Sequence, residues 1–544
     1  MIRVATKKHE DRGYAIPGQR IDLIVENAVL VELKATTRIE PVLESKVISY
    51  LRTTGLRWLI FVPFVARVVV LCGAKPAVSG KLSSLGTMQD LTTGSLTRHL
   101  LTTTGLMLVS MVFQTLYVLV DLYWVGRLGT EAVAAVAISG NLQFVVLGAT
   151  QMLGVGTTAL VAHAVGRKDR ARVVLVFNQS QFLSILAGTL FMVVMMSLRL
   201  PYATQLAADD TTAALTTAYL GWFIPAMGMQ FALVAMAGAL RGAGDFKPGM
   251  VVQTATVILN MLLAPILIFG WGTGRPLGVA GAAIATFIAI VVGVAWLTLY
   301  FLPATSYLKF TAGDWTPRFD LWRAILKIGL PAGAEFALIA VYLVVVYTVS
   351  QPFGAAAQAG FGIGMRIIQA CFLPVVALGF AVAPVAGQNF GARLPHRVRG
   401  TFRSAAMLAG VAMLMLTLLV VFAAVPMIRI FSSDPSAIDV AVEYLQIVAW
   451  NFIPSGIVFV SSSMFQAIGN TLPSFLASFT RILLVSVPAL LLASIPGFSL
   501  TWVWYLSVMS TAVQMLMVLL LLRREFRLRL SGEPQPGGQR AEIA

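Results

Sequence analysis

The chain has 544 residues, 58% of them hydrophobic and only 11% charged, with a formal net charge of +16 and a mean hydropathy of +0.85. So large an apolar excess has to face something other than water, which excludes an ordinary soluble globular protein. The Lys and Arg residues gather in short stretches between apolar runs, so nucleic-acid binding is excluded as the source of the positive charge. Two cysteines, Cys72 and Cys371, supply no disulfide framework and read as buried thiols.

The first ninety residues differ from the rest. Residues 1–20 are polar and of mixed charge, with no cleavable signal peptide expected. Residues 20–35, RIDLIVENAVLVELKA, are two β-branched runs about a Glu-Asn turn, the pattern of a hairpin. Asp22 lies on its first strand, and Glu32 and Lys34 share one face of the second. Such a trio suits Mg²⁺ and an oriented water, while an ordinary solvated face has the same spacing. The stretch YAIPGQRIDLIVENAVLVELKATTRIEPVLESKVISYLRTTGLRWLIFV resembles the C-terminal half of the GxxExxY proteins, in the PD-(D/E)XK nuclease-like superfamily. Asp22, Glu32 and Lys34 fall on that superfamily's D…ExK positions, which the resemblance implies to be metal-binding. The family's N-terminal helical half is missing, and Lys46 stands where the family usually has a glutamine. About 60 residues do not complete a core alone, so residues 1–75 are expected to form a truncated, inactive α/β segment. Residues 76–97 read as a linker, and Met88, opening MQDLTTGSLTRHLL, as a possible start of its own.

Twelve apolar segments follow, each long enough to cross about 30 Å of hydrocarbon. They lie near 99–122, 132–162, 173–197, 213–239, 249–270 and 278–302, then 325–349, 355–388, 403–424, 437–467, 475–495 and 500–522. Alternate connections are basic: Arg167, Lys168, Arg170 and Arg172, then Lys309, Arg318, Arg323 and Lys327, then Arg393, Arg397, Arg399 and Arg403. These predict an inner, cytoplasmic membrane protein with both termini in the cytoplasm. In the first span, Asp121 puts a carboxylate into an apolar run at a cost of roughly 2.5–3.5 kcal/mol, which marks it as functional. Only Asp121 and Glu335 are expected to lie deep in the spans.

An internal repeat organises the spans. Gly129 and Gly354, Gly166 and Gly391, Gly244 and Gly469, and Pro248 and Pro473 each stand 225 positions apart (354 − 129 and so on). These four pairs in register predict a duplication of six spans in one orientation. The fold class is therefore an all-α membrane protein of twelve transmembrane helices. They form two pseudo-symmetric six-helix lobes, residues 98–302 and 324–525, joined by a cytoplasmic loop at 303–323, with a polar tail at 526–544.

The motifs LTTGSLTRHL, LYVLVDLYWVGRLGTEAVAAVAI, LRGAGDFKPGM, PLGVAGAAIAT, GLPAGAEF and APVAGQNFGARLPHRVRG resemble the MATE family of multidrug and toxin extrusion transporters, in order, over residues 88–525. The resemblance implies export of small organic, often cationic or amphipathic compounds, driven by inward movement of H⁺ or Na⁺, with no other cofactor. It implies that Asp121 and Asn260 form the coupling-cation site. The family often has a second aspartate where Ala264 stands, and a first-span proline where Leu106 stands; Pro331 occupies the matching place in the second repeat. Gln114, Tyr117, Glu335, Tyr342 and Trp222 are candidates for the substrate cavity. The stretch FIPSGIVFVSSSMFQAIGN of the tenth span offers Ser461, Ser462 and Ser463 but no acid, so a cation site in the second lobe is not expected. Membrane lipids, the coupling ion and small organic solutes are the expected partners of a monomer, with no nucleic acid. A lipid-linked precursor flippase and a membrane-tethered nuclease are the alternatives; two deep acids disfavour anionic cargo for the first, and twelve spans exceed the needs of the second.

Overall fold

A computed structural model describes residues 23–25, 29–34, 58–63, 69–72, 90–271, 274–302, 307–432 and 434–530. The chain separates into two compact units, Met1–Leu85 and Gly86–Ala544. In the first, strands β1 (Leu23–Val25), β2 (Val29–Lys34), β3 (Trp58–Pro63) and β4 (Val69–Cys72) form one sheet in that order. β1 and β2 are the antiparallel hairpin that residues 20–35 predict, β2 runs parallel to β3, and β3 antiparallel to β4. Glu32 and Lys34 stand two apart on β2, in register with Phe61 and Pro63. Asp22, Lys46 and Met88 lie outside the described residues.

The second unit is helical, and twelve of its helical segments are long and apolar enough to cross a membrane. The first six helices are α1 (Leu96–Gly126), α2 (Thr130–Gly166), α3 (Arg170–Leu206), α4 (Asp210–Gly242), α5 (Phe246–Phe269) and α6 (Gly278–Phe301). The rest are α7 (Phe319–Ser350), α8 (Gly354–Gly391), α9 (Pro395–Arg429), α10 (Pro435–Val448), α11 (Phe452–Ala467), α12 (Leu472–Leu492) and α13 (Leu500–Leu530). The tenth span is thus α10 and α11 joined through a 3-10 turn, Ala449–Asn451. Pro454, near the start of α11, has no N–H for the carbonyl one turn back, and the chain tightens there.

The repeat is conformational as well as sequential. Gly129 and Gly354 have φ of 114° and 83°, Gly244 and Gly469 of 81° and 73°, and Lys168 and Arg393, also repeat mates, of 60° and 56°. Each pair breaks the chain between helices in the left-handed region that a β-carbon disfavours. Lys168 and Arg393 have side chains there, so the glycine pattern alone does not reveal them.

Two expected boundaries move. Residues 90–95 are not linker: Leu91 is fully buried, and its N–H donates to Gln388 Oε1 at 3.0 Å. α13 runs on to Leu530, where Arg529 pairs with Glu525 at 2.8 Å and donates to the Ile468 carbonyl at 3.1 Å. The connection between the lobes is held by two buried amides of α3. Asn178 bonds Lys309 O and Thr311 N, and Gln179 takes Asp314 O, Thr316 O, Arg318 N and the Trp322 indole.

The lobes meet along α2, from its middle to its basic end. A Cβ on Gly329 of α7 would lie 1.7 Å from Met152 O, one on Gly333 2.6 Å from Gly148 O, and one on Gly156 2.3 Å from Ile325 O. Nearer the basic end a Cβ on Gly166 would lie 2.0 Å from Gln388 O, and one on Gly391 2.3 Å from His163 O. Here repeat mates face each other across the pseudo-twofold axis. His163 Nε2 bonds the Ala467 carbonyl at 2.6 Å, and Gln388 Nε2 donates to the Gly242 carbonyl at 3.1 Å. His163 and Gln388 are mates, and so are Gly242 and Ala467, so one hydrogen bond is the symmetry image of the other.

Removing both bonds, by His163→Ala with Gln388→Ala, should loosen this closure. At about 1 kcal/mol for each bond, the balance shifts toward the state open at the basic face by roughly 5- to 150-fold for 1–3 kcal/mol in all. Hydrogen exchange at residues 160–166 and 385–391 should rise together; unchanged exchange would show that the pair is not a latch.

Candidate functional site

α1, α5 and α6 of the first lobe build a polar pocket inside an apolar wall. Thr286 of α6 lies at its centre: its hydroxyl accepts from Asn260 Nδ2 at 3.0 Å and meets Tyr117 OH at 3.3 Å. Thr286 Oγ1 also reaches its own helix at Ala282 O, 3.2 Å away, which fixes the rotamer. Asp121 follows Tyr117 by one turn of α1 and so shares its face. Tyr117 and Tyr219 both lie within electrostatic reach of its carboxylate. Two oxygens here are buried without a hydrogen-bond partner, Asp121 Oδ1 and Asn260 Oδ1. Both are acceptors. Buried acceptors are normally matched, and an unmatched pair beside each other's helices suits a proton or small cation. Among the described residues no three His, Cys, Asp or Glu side chains group as a metal site.

The structure thus links Tyr117 and Asn260 through Thr286, which sequence reasoning missed, and sets Asp121 one turn from Tyr117 on α1. The signal for Thr286 was weak: one hydroxyl closing the apolar stretch PLGVAGAAIAT. Ala264 is buried at 1% exposure in the wall of the same lobe. Gln114 is exposed on α1 and does not join the pocket. Trp222 packs on Phe287 at 5.6 Å and is 44% exposed. It lines a cleft of about 630 Å³ with Arg199, Asp210 and Thr217, between α3 and α4.

In the second lobe Glu335 is held by Ser474 Oγ at 2.8 Å and by Ser478, both on α12. Ser474 also bonds Ser462, and Ser478 accepts from Gln514 Nε2 at 3.1 Å. Ser462, expected to mark the tenth span as lacking an acid, therefore acts one step behind Glu335. Tyr342 does not face open space: it is 8% exposed, inside the lobe, its hydroxyl 3.5 Å from Ser507 Oγ. The Arg481 guanidinium lies over its ring, 5.4 Å from the centroid. Asp121 and Glu335 are therefore not the only deep charges. Arg481 sits mid-way along α12, and Arg366 is a further cation within α8.

The chain matches the MatE family model over residues 107–266 and 331–492, the two repeats in turn. Residues 8–70 match the model of the PD-(D/E)XK nuclease superfamily. Among curated relatives, the probable multidrug resistance protein YoeA of Bacillus subtilis is 26% identical over 420 residues, covering 76% of this chain and 90% of its own. The probable multidrug resistance protein NorM of Thermotoga maritima is 26% identical over 380 residues, 69% of this chain and 81% of its own. A transporter of the MOP superfamily from Pyrococcus furiosus has the same fold, with a TM-score of 0.75 at 23% identity, over 81% of this chain and 99% of that one.

Thr286→Val should strand the Asn260 amide in the wall. A buried amide left unmatched costs about 1–3 kcal/mol, so the purified protein should melt several degrees lower, while Thr286→Ser should restore it. Equal melting of the two variants would show that the hydroxyl carries no such role.

Proposed function

We propose, for a chain that belongs to the MatE family, that it is an antiporter exporting small organic compounds, with Asp121 as the carboxylate that couples export to inward cation movement. Members of that family are secondary transporters rather than enzymes, and twelve apolar helices make this a multi-pass membrane protein. Its relatives are named multidrug resistance proteins, which supports drug-like, cationic or amphipathic cargo. The basic connections support a cytoplasmic-membrane orientation with both ends inside. Both lobes lie on one chain, which suits a monomer.

The observation that carries the reading is the pair of unmatched buried acceptors, Asp121 Oδ1 and Asn260 Oδ1. The close approaches of the lobes run from the middle of α2 to its basic end, which supports entry of the cation from the opposite side. A cation on Asp121 removes a buried charge, and the first lobe then favours a different packing of α1 against α5 and α6. Cargo leaves outward, the latch at His163 and Gln388 opens, and the cation is released inward. Alternating occupancy of one pocket by charge and by neutrality is what drives the exchange. One carboxylate with amide and hydroxyl oxygens suits H⁺ better than Na⁺, which needs more oxygen ligands than this pocket offers. In the other unit, Glu32 and Lys34 stand on a strand of a segment that matches its superfamily over residues 8–70 alone; we assign it no catalytic part.

In proteoliposomes, Asp121→Asn should reduce cation-driven efflux to the leak of protein-free vesicles while elution and melting stay at wild-type values. Efflux by the wild type should persist with the Na⁺ gradient removed and the pH gradient kept. Collapse under that condition would assign the site to Na⁺, and wild-type efflux by Asp121→Asn would remove Asp121 from coupling altogether.

A further inference from the structure

Arg481 is a deep charge that the coupling scheme leaves without a task. It lies ten positions into α12, a span of 21 residues, where a cation is expensive unless it is paired. Among the described residues it makes no ion pair, and its Nε is buried without a hydrogen-bond partner. Tyr342 supplies a ring beneath it, which steadies the guanidinium but offers no counter-charge.

Its neighbours set it in a frame. Ser474, Ser478 and Arg481 are spaced i, i+4 and i+7, so they share the face of α12 that meets α7. Glu335 and Tyr342 share one face of α7 at a spacing of seven. The carboxylate held by Ser474 and Ser478 and the guanidinium held over Tyr342 therefore stand along one seam, roughly 10 Å apart along the helix axes. Neither is fully buried, and Glu335 follows closely on Gly333, where α7 touches α2 of the other lobe. The repeat shows that the scaffold does not require these charges. The mates of Glu335 and Ser478 are Ser110 and Gln253, which hydrogen-bond each other at 2.7 Å, and the mate of Arg481 is Thr256. The same architecture closes in the first lobe with neutral groups alone.

We propose that Arg481 receives an anionic group of the transported solute, so that the second lobe selects zwitterionic cargo, with Glu335 meeting the cationic end. A planar guanidinium binds a carboxylate or phosphate through paired N–H donors, and its unmatched Nε is one of them. Asp121 stays free of cargo contact in this scheme, since the mates of Asp121 and Asn260 are Val346 and Val485 and the two lobes do different work. The proposal rests on the exporter reading above, and its test separates the two.

Rhodamine 123 is a methyl-ester cation; rhodamine 110 is the same fluorophore with the carboxyl group free. Binding of each to purified protein is followed by fluorescence polarisation. The wild type should bind rhodamine 110 the more tightly. Arg481→Gln should weaken rhodamine 110 about tenfold and leave rhodamine 123 within twofold, while Glu335→Gln weakens both. Should Arg481→Gln not fold, Arg481→Lys, which keeps the charge and loses the paired donors, should weaken rhodamine 110 selectively and to a smaller degree. Binding of rhodamine 123 with no selective loss of rhodamine 110 in either variant overturns the anion site. So does a chloride requirement for both dyes that Arg481→Gln abolishes, because the guanidinium then holds a free anion. A wild type that binds neither dye counts against the exporter reading itself.

Discussion

The contact on which the rest of the structure depends is backbone against backbone at the pseudo-twofold axis. Gly166 and Gly391 leave no room for a β-carbon against Gln388 O and His163 O, so α2 and α8 approach more closely than side chains allow. Hydrocarbon offers apolar helices little reason to associate, and close approach through small residues supplies the missing attraction through packing. That approach also brings His163 and Gln388 within reach of carbonyls on α11 and α4 in the opposite lobe. Two bonds related by symmetry share one geometry, so a rocking motion that breaks one breaks the other.

On this symmetric frame the charges are not symmetric, and the difference has a depth. Asp121 follows the mate of Glu335, Ser110, by eleven positions of α1, or roughly 16 Å of helix rise. The first-lobe carboxylate thus stands nearer the end away from the basic connections, and the second-lobe carboxylate nearer the closure. Tyr117 and Tyr342 are mates and occupy one level in both lobes. Below Tyr117 the first lobe uses the neutral pair Ser110 and Gln253, and the second uses Glu335 with Ser474 and Ser478. The duplication kept the hydrogen-bonding positions and changed which of them carry charge.

Much of the fold was legible because the bilayer allows few solutions. Apolar length marks the twelve spans, the 225-residue period marks the duplication, and two of the three glycine pairs, Gly129 with Gly354 and Gly244 with Gly469, fall where the chain has positive φ. The hairpin at residues 20–35 was legible from its β-branched runs. What escaped was non-local. Leu91 looks like linker until Gln388, nearly 300 positions on, is found to accept its N–H. Asn178 and Gln179 look like stray amides in an apolar helix until the connection between the lobes folds back onto them. Of the candidate site, Asp121 was legible as a charge in an apolar run and Asn260 from resemblance, while Thr286, the bonding partner of Asn260, was not, because threonine is an unremarkable guest in a membrane helix.

Arg481 shows a different kind of omission. The rule that singled out Asp121, a charge inside an apolar run, applies to Arg481 with equal force, since a span of 21 residues leaves it no end to reach. Attention to acids alone suggests a cavity of one sign and cargo of the other. With the guanidinium included, the second lobe presents both signs along one seam. Selectivity then rests on the distance between two charges as well as on their sign. Such a filter suits the proposed scheme, in which the coupling carboxylate lies in the other lobe, because cargo and cation need not then compete for one group. In the proposed exchange the two are linked instead through the packing of α2 against α7 and α8, a contact that both lobes must rearrange together.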